Sequence, residues 1–150
     1  METYKSTFEE VLDRDGKLTY ANVGVSMLPL LRQGKDLFTV RRKGAERCRK
    51  GDVVLYKRGD AYVLHRIIEV RPEDYVILGD NCAAKEYGIR DEDILGVMTG
   101  FVRNGKEHSV SEWGFRLYSW LILHTIGPRL LLKRCRRKAA RLVKRRLHKK

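Results

Sequence analysis

Hydrophobic and polar positions follow two different periods along the chain. Near the N-terminus Phe8, Val11 and Leu12 share one face at helical spacing, which predicts a short amphipathic helix over residues 4–13, ended by the segment from Asp13 to Gly16. Farther along, to about Val110, short runs rich in β-branched residues alternate with glycine-bearing breaks, as is typical of strands. These runs predict strands at residues 18–22, 36–42, 52–57, 62–70, 75–78 and 94–102.

Turn signals separate the predicted strands. Arg58-Gly59-Asp60 and Arg71-Pro72-Glu73-Asp74 are typical turns, and Asn104-Gly105 predicts a hairpin between residues 100–103 and 106–110. Six or seven short strands in about 90 residues predict a mainly β protein with a compact, coiled antiparallel fold.

Charge divides the chain into two parts. The formal net charge is +13, yet residues 1–114 carry 19 Lys+Arg and 19 Asp+Glu, so all the excess lies in residues 115–150. We therefore predict a domain over residues 1–112 and a helical arm over residues 113–150. Residues 117–128 of this arm lack formal charge, and residues 129–150 predict a second helix with a basic face, beginning after Gly127-Pro128.

Several classes of protein are disfavoured by composition. Three scattered cysteines do not make a disulfide scaffold, and an odd number suits a reducing compartment. The sequence contains no CxxC or HxxxH pair, which argues against a zinc site. The polar, acidic N-terminus is unlike a signal peptide. The uncharged run of the arm would span about 18 Å as a helix, against about 30 Å for a bilayer core, so we expect it not to cross a membrane.

Four short segments contain residues suited to chemistry. In chain order they are Gly24-Val25-Ser26-Met27-Leu28-Pro29, Gly51-Asp52-Val53-Val54, Val63-Leu64-His65-Arg66-Ile67-Ile68 and Leu78-Gly79-Asp80-Asn81. Taken singly, each segment also has an ordinary structural interpretation. In chain order these are a serine in a turn, a buried strand, a histidine in a strand and an Asp in a turn.

In this order the four segments resemble the type I signal peptidases, and most closely their Ser–His branch, which includes the endoplasmic-reticulum enzymes. The resemblance covers about residues 20–102. The family is related to the self-cleaving repressor proteases, which use a Ser–Lys dyad; here the position of the base is occupied by His65.

The resemblance implies a serine endopeptidase that cleaves a peptide or preprotein and needs no cofactor or metal. Ser26 would be the nucleophile and His65 the general base. The carboxylate that orients the imidazole would be Glu86, where the family commonly has Asp, or Asp80, which would otherwise organise the site. The family prefers substrates with small side chains at P1 and P3.

Two features depart from the family pattern. Gly24 stands where some relatives have a side-chain donor to the oxyanion, so the backbone N–H of Ser26 would have to serve alone or with another group. We also expect no N-terminal membrane anchor, which signal peptidases usually have, because the N-terminal segment is polar and acidic. These departures leave a catalytically inactive peptide-binding relative as one alternative, and a DNA-associated regulatory module as another.

The basic arm leaves three interpretations open. Its 11 Lys+Arg in residues 133–150 would suit an anionic membrane surface, a nucleic acid or a solvated tail. We favour the membrane, since the arm combines Trp and Leu with positive charge. We therefore expect a protein peripheral to the cytoplasmic side of a membrane, with an integral membrane protein as the alternative.

Overall fold

The computed structural model describes residues 6–147, which form one eight-stranded antiparallel sheet with flanking helices. The helices are α1 (Phe8–Asp15), α2 (Trp113–His124) and α3 (Ile126–Leu147), with a 3-10 turn at Asp91–Asp93. The strands are β1 (Lys17–Ala21), β2 (Leu37–Arg42), β3 (Val53–Arg58), β4 (Ala61–Val70), β5 (Tyr75–Leu78), β6 (Glu86–Ile89), β7 (Ile94–Arg103) and β8 (Lys106–Ser109).

The strand order is β1-β2-β7-β3-β4-β5-β6, with β8 also paired to β7. Strand β7 is long enough to pair with β2 along one edge, while its other edge pairs with β3 at its start and β8 at its end. Bulges in four of the strand pairs shift the register and bend the sheet. The mainly β, antiparallel fold predicted from the sequence is confirmed, as are the short N-terminal helix and the C-terminal helices.

Apart from shifts of one residue at the ends of strands, the elements differ from prediction in three places. Helix α1 begins at Phe8, because the Thr7 hydroxyl and the Glu10 side chain cap its first turn reciprocally; the predicted start at residue 4 lies outside the described residues. Strand β6 was not predicted, since its four residues include Gly88 and have no alternating pattern. Helix α3 begins at Ile126 and not, as predicted, after Pro128, because proline is tolerated in the first turn of a helix.

Three clusters of buried side chains hold the sheet and helices together. The first lies between α1 and the sheet and includes Leu12, Leu31 and Phe38; the second includes Tyr56, Ile67 and Ile77. A third cluster joins Ile68, Val76 and Leu78 to residues of α2 and α3.

The first part of the predicted arm therefore packs against the β domain. Phe115 and Tyr118 of α2 contact the first cluster, and Leu123, Ile126 and Leu130 contact the third. Helix α2 begins at Trp113, the predicted start of the arm. Among residues 6–147, no helix has the length and apolarity needed to cross a membrane.

Candidate active site

His65 is placed by the hairpin of β3 and β4. The turn at Gly59-Asp60 pairs Arg58 with Ala61, and this register carries through to Val54 opposite His65. Tyr56 stands diagonally across from His65 on the same face, and its hydroxyl lies 3.2 Å from His65 Nδ1. The imidazole is only 5% exposed. The Nδ1 nitrogen of His65 thus lies beside Tyr56, a member of the second core cluster.

Glu86 lies behind the same nitrogen. It opposes Ile77 of β5, and Ile77 opposes Ile67 of β4, so Glu86 and His65 face the same side of the sheet. The carboxylate Oε1 of Glu86 is 3.4 Å from His65 Nδ1 and 2.7 Å from Arg58 Nη1. Of the two candidate carboxylates, Glu86 is the one beside the imidazole.

Asp80 is bound on the opposite face. Its two oxygens accept from Arg66 Nε and Nη2, both at 2.8 Å, and Tyr118 of α2 donates to Oδ2 at 2.8 Å. Arg66 also donates to the carbonyl of Gly51 and the hydroxyl of Ser119. The side chains of Arg66 and Asp80 are fully buried. Asp80 therefore connects α2 to the sheet beside the site, and its carboxylate is directed away from His65.

Ser26 lies in the loop between β1 and β2. The turn after β5 holds this loop: Asn81 N donates to the Ser26 carbonyl at 2.8 Å, and Asn81 Nδ2 donates to the Val25 carbonyl at 3.1 Å. Met27, 1% exposed, anchors the next position in the core. Within residues 6–147, neither the N–H nor the hydroxyl of Ser26 has a hydrogen-bond partner.

Ser26, His65 and Glu86 line one cavity of about 550 Å³. Gly79 allows the Ser26 loop and His65 to lie close together, because it has no side chain. A Cβ at this position would stand 2.9 Å from both the Ser26 carbonyl oxygen and His65 Nε2. The same Cβ would lie 2.5 Å from Cys82 Sγ. His65 Nε2 therefore lies on the side of the imidazole that faces the Ser26 backbone, and Cys82 Sγ is 3.9 Å from it.

The surroundings of His65 favour its neutral form. Burial lowers the pKa of His65 below its ordinary value of 6.5, and the Arg58 guanidinium adds to this effect. The Glu86 carboxylate opposes it. Burial, with Glu86 as the next contributor, raises the pKa of Tyr56, and burial raises that of Cys82. Near neutral pH the cavity thus holds a neutral imidazole and a neutral thiol, with the neutral phenol of Tyr56 buried behind the imidazole.

Helix α3 lines the cavity next to the turn at Asp80 and Asn81, which follows β5. Arg129 Nη1 donates to the Asp80 carbonyl at 2.7 Å. Lys133 Nζ donates to the carbonyl of Asn81 and, at 3.2 Å, to its side-chain Oδ1. Since Asn81 binds the Ser26 loop, α3 is connected to the candidate nucleophile through one residue.

Some of these residues were missed by the sequence analysis. A signal for Tyr56 was present, because a two-residue turn at Gly59-Asp60 sets a register in which Tyr56 and His65 share a face. Cys82 follows the Gly-Asp-Asn segment directly and could have been included with it. Nothing in the local pattern around Lys133 indicates that it reaches Asn81, 52 positions away.

No protein-family model matches the chain, and no curated protein sequence matches it. The relation to signal peptidases consequently remains a hypothesis based on the four segments and the geometry around His65. Among the described residues, no group of three His, Cys, Asp or Glu side chains is arranged to hold a metal ion.

Proposed function

We propose that this protein is a serine endopeptidase of the signal peptidase-like class, which cleaves a peptide or preprotein bound in the cavity. The observation that carries the proposal is that Ser26 and His65 line the same cavity, with Glu86 on the far side of the imidazole. A serine hydroxyl, an imidazole and a carboxylate in this order are what a nucleophile, a general base and an orienting carboxylate require.

In the first half of the reaction, Ser26 Oγ attacks the carbonyl carbon of the scissile peptide bond, and His65 Nε2 accepts the serine proton. A proton on Nδ1, facing Glu86, leaves Nε2 as the basic nitrogen. Glu86 stabilises the imidazolium that forms. The N–H of Ser26, which has no acceptor within residues 6–147, can donate to the developing oxyanion.

In the second half, the carbon–nitrogen bond breaks and the amine leaves with the proton from Nε2. A water molecule then attacks the acyl-serine ester, again giving its proton to His65. The new carboxylate product leaves and Ser26 Oγ regains its hydrogen. Since the Ser26 hydroxyl has no hydrogen-bond partner among the described residues 6–147, we expect it to turn towards Nε2 when a peptide fills the cavity.

A fluorophosphonate probe tests the proposal directly. The full-length protein should become covalently labelled at Ser26, and Ser26→Ala should abolish labelling. Ser111→Ala, an exposed serine outside the cavity, serves as the matched control and should label normally. Unlabelled wild-type protein that still binds peptides would instead favour the inactive peptide-binding relative.

A second role, at an anionic membrane surface, is supported by the exposed side chains of α2 and α3. Four large apolar residues recur on one face of α2 and are 41–78% exposed: Trp113, Leu117, Trp120 and Leu121. On α3, Leu131, Leu132, Leu142 and Val143 are also exposed, beside many basic residues. Aromatic and aliphatic groups next to Lys and Arg favour the lipid interface.

Vesicle sedimentation tests this second role. Full-length protein should sediment with anionic vesicles, remain largely free of neutral ones and be released by about 1 M salt, at which charges are screened beyond about 3 Å. Trp113→Ala with Trp120→Ala should weaken binding without unfolding, since both side chains are exposed. Salt-sensitive binding to duplex DNA without vesicle binding would favour a nucleic-acid partner instead.

A further inference from the structure

The wall of the cavity carries an excess of positive charge. Among the described residues, its lining includes three basic side chains, Arg58, Lys133 and Arg137. It includes one carboxylate, that of Glu86. That carboxylate is already paired with Arg58 at 2.7 Å and lies beside His65. The charges of Lys133 and Arg137, both supplied by α3, therefore have no acidic counterpart in the lining.

These two residues belong to a row of three cations. Arg129, Lys133 and Arg137 are spaced by four residues, so they share one face of α3, and like charges at this spacing repel each other. Arg129 and Lys133 donate to carbonyl, hydroxyl and amide oxygens rather than to carboxylates. The Arg137 side chain has neither a hydrogen bond nor an ion pair with any residue in the described range 6–147.

Lys133 responds to this concentration of charge. Its pKa is lowered from the ordinary value, chiefly by burial and further by the cations Arg129 and Arg137. A carboxylate placed at this end of the cavity would relieve the repulsion and accept hydrogen bonds from the planar Arg137 guanidinium.

The other end of the cavity has a different character. It adjoins a second cavity of about 350 Å³, with which it shares four lining residues: Asn22, Val23, Tyr62 and Leu64. That second cavity is lined largely by apolar and aromatic side chains, including Phe8, Tyr20 and Phe38. An acidic group is therefore favoured at the α3 end only.

We propose that the peptide bound in this cavity carries an acidic side chain near the scissile bond, on the side that faces α3, where Lys133 and Arg137 receive it. As a statement about cleavage this rests on the proposed function, but as a statement about binding it does not. The partner is thus an acidic peptide segment, and anionic lipid or nucleic acid at the same residues would be a different outcome.

Binding is measured first, with the full-length Ser26→Ala variant. The probes are fluorescent peptides with blocked termini, in which a single Glu is moved along the sequence and compared with Gln at each position. At one position or on one side, Glu should bind about two- to five-fold more tightly than Gln, as expected of an exposed ion pair. The difference should vanish in about 1 M salt.

Charge variants then locate the preference. In the same background, Arg137→Gln should remove the advantage of Glu, while Arg136→Gln removes one charge from the same helix outside the cavity lining and should retain it. Arg137→Glu should transfer the preference to a peptide with Lys at that position. Because the Arg137 side chain is exposed, these changes should not unfold the protein.

The inference fails if Glu and Gln peptides bind equally, if neither binds, or if Arg136→Gln has the same effect as Arg137→Gln. It also fails if vesicles or DNA bind in a way that depends on Arg137 and no acidic peptide does. If the wild-type protein cleaves Glu and Gln peptides with equal kcat/KM, the peptidase stands and the charge preference does not. If the Glu peptide binds preferentially but no peptide is cleaved, the charge preference stands and the proposed peptidase does not.

Discussion

His65 Nδ1 lies 3.4 Å from Glu86 Oε1, although the two residues belong to strands β4 and β6 and β5 runs between them. The shared face of the sheet brings them together, and Arg58 holds the carboxylate in place from the other side. Asp80, which is nearer to His65 in the sequence, is bound instead to Arg66 on the opposite face. The two carboxylates are therefore expected to respond differently to mutation.

Glu86→Gln should lower kcat by about 10²- to 10⁴-fold with a smaller change in KM, because the imidazolium loses its stabilising partner. Asp80→Asn should instead reduce the free energy of unfolding by about 3–5 kcal/mol, since it leaves the Arg66 charge buried without its partner. Steady-state kinetics and urea unfolding of both variants measure the two effects. The opposite ranking would transfer the orienting role to Asp80.

Ser26→Ala and His65→Ala should each abolish most peptidase activity, and the double variant should be little worse than either single variant, because the residues act as a unit. Ser26→Ala should change the free energy of unfolding by less than about 0.5 kcal/mol, since the hydroxyl has no bond to lose within residues 6–147. Additive losses of activity would show that Ser26 and His65 act independently.

The pH profile of kcat/KM should have an acid limb below pH 6.5, because the burial of His65 lowers its pKa from that value and activity requires the neutral imidazole. Arg58→Gln removes a positive charge near His65 and should move this limb to higher pH. Glu86→Gln removes a negative charge and should move it to lower pH, in whatever activity remains. Two shifts of the same sign would contradict the arrangement of these charges around His65.

Alkylation of Cys82 should abolish the proposed peptidase activity, because its Sγ lies 3.9 Å from His65 Nε2, the nitrogen that accepts the Ser26 proton in the proposed reaction. The reaction with iodoacetamide should be slow near neutral pH and accelerate at higher pH, since burial raises the pKa of this thiol. Cys82→Ala should protect the activity.

The experiment on Cys82 needs a background that lacks the exposed Cys135, which will also be alkylated. Mass spectrometry then relates the loss of activity to modification of Cys82. If Cys82→Ala were inactive while Ser26→Ala retained activity, Cys82 rather than Ser26 would be the nucleophile.

The sequence alone determined most of the fold. Runs rich in β-branched residues between turns are a local property, so they located β1–β5 and β7 to within one residue, and the two-residue period of a strand put His65 on the same face as Val63 and Ile67. The short turn at Gly59-Asp60 even sets the register that pairs Tyr56 diagonally with His65. Local chemistry also singled out Ser26, but not what would surround it.

Only the tertiary structure decided which carboxylate stands beside His65. Between β4 and β6 the register shifts twice, at bulges in the pairing of β4 with β5 and of β5 with β6. Each single-residue shift moves a side chain to the other face of a strand, so no count along the chain could place Glu86. The same holds for Lys133 and Arg137, whose place at the cavity depends on how α3 packs against the turn after β5.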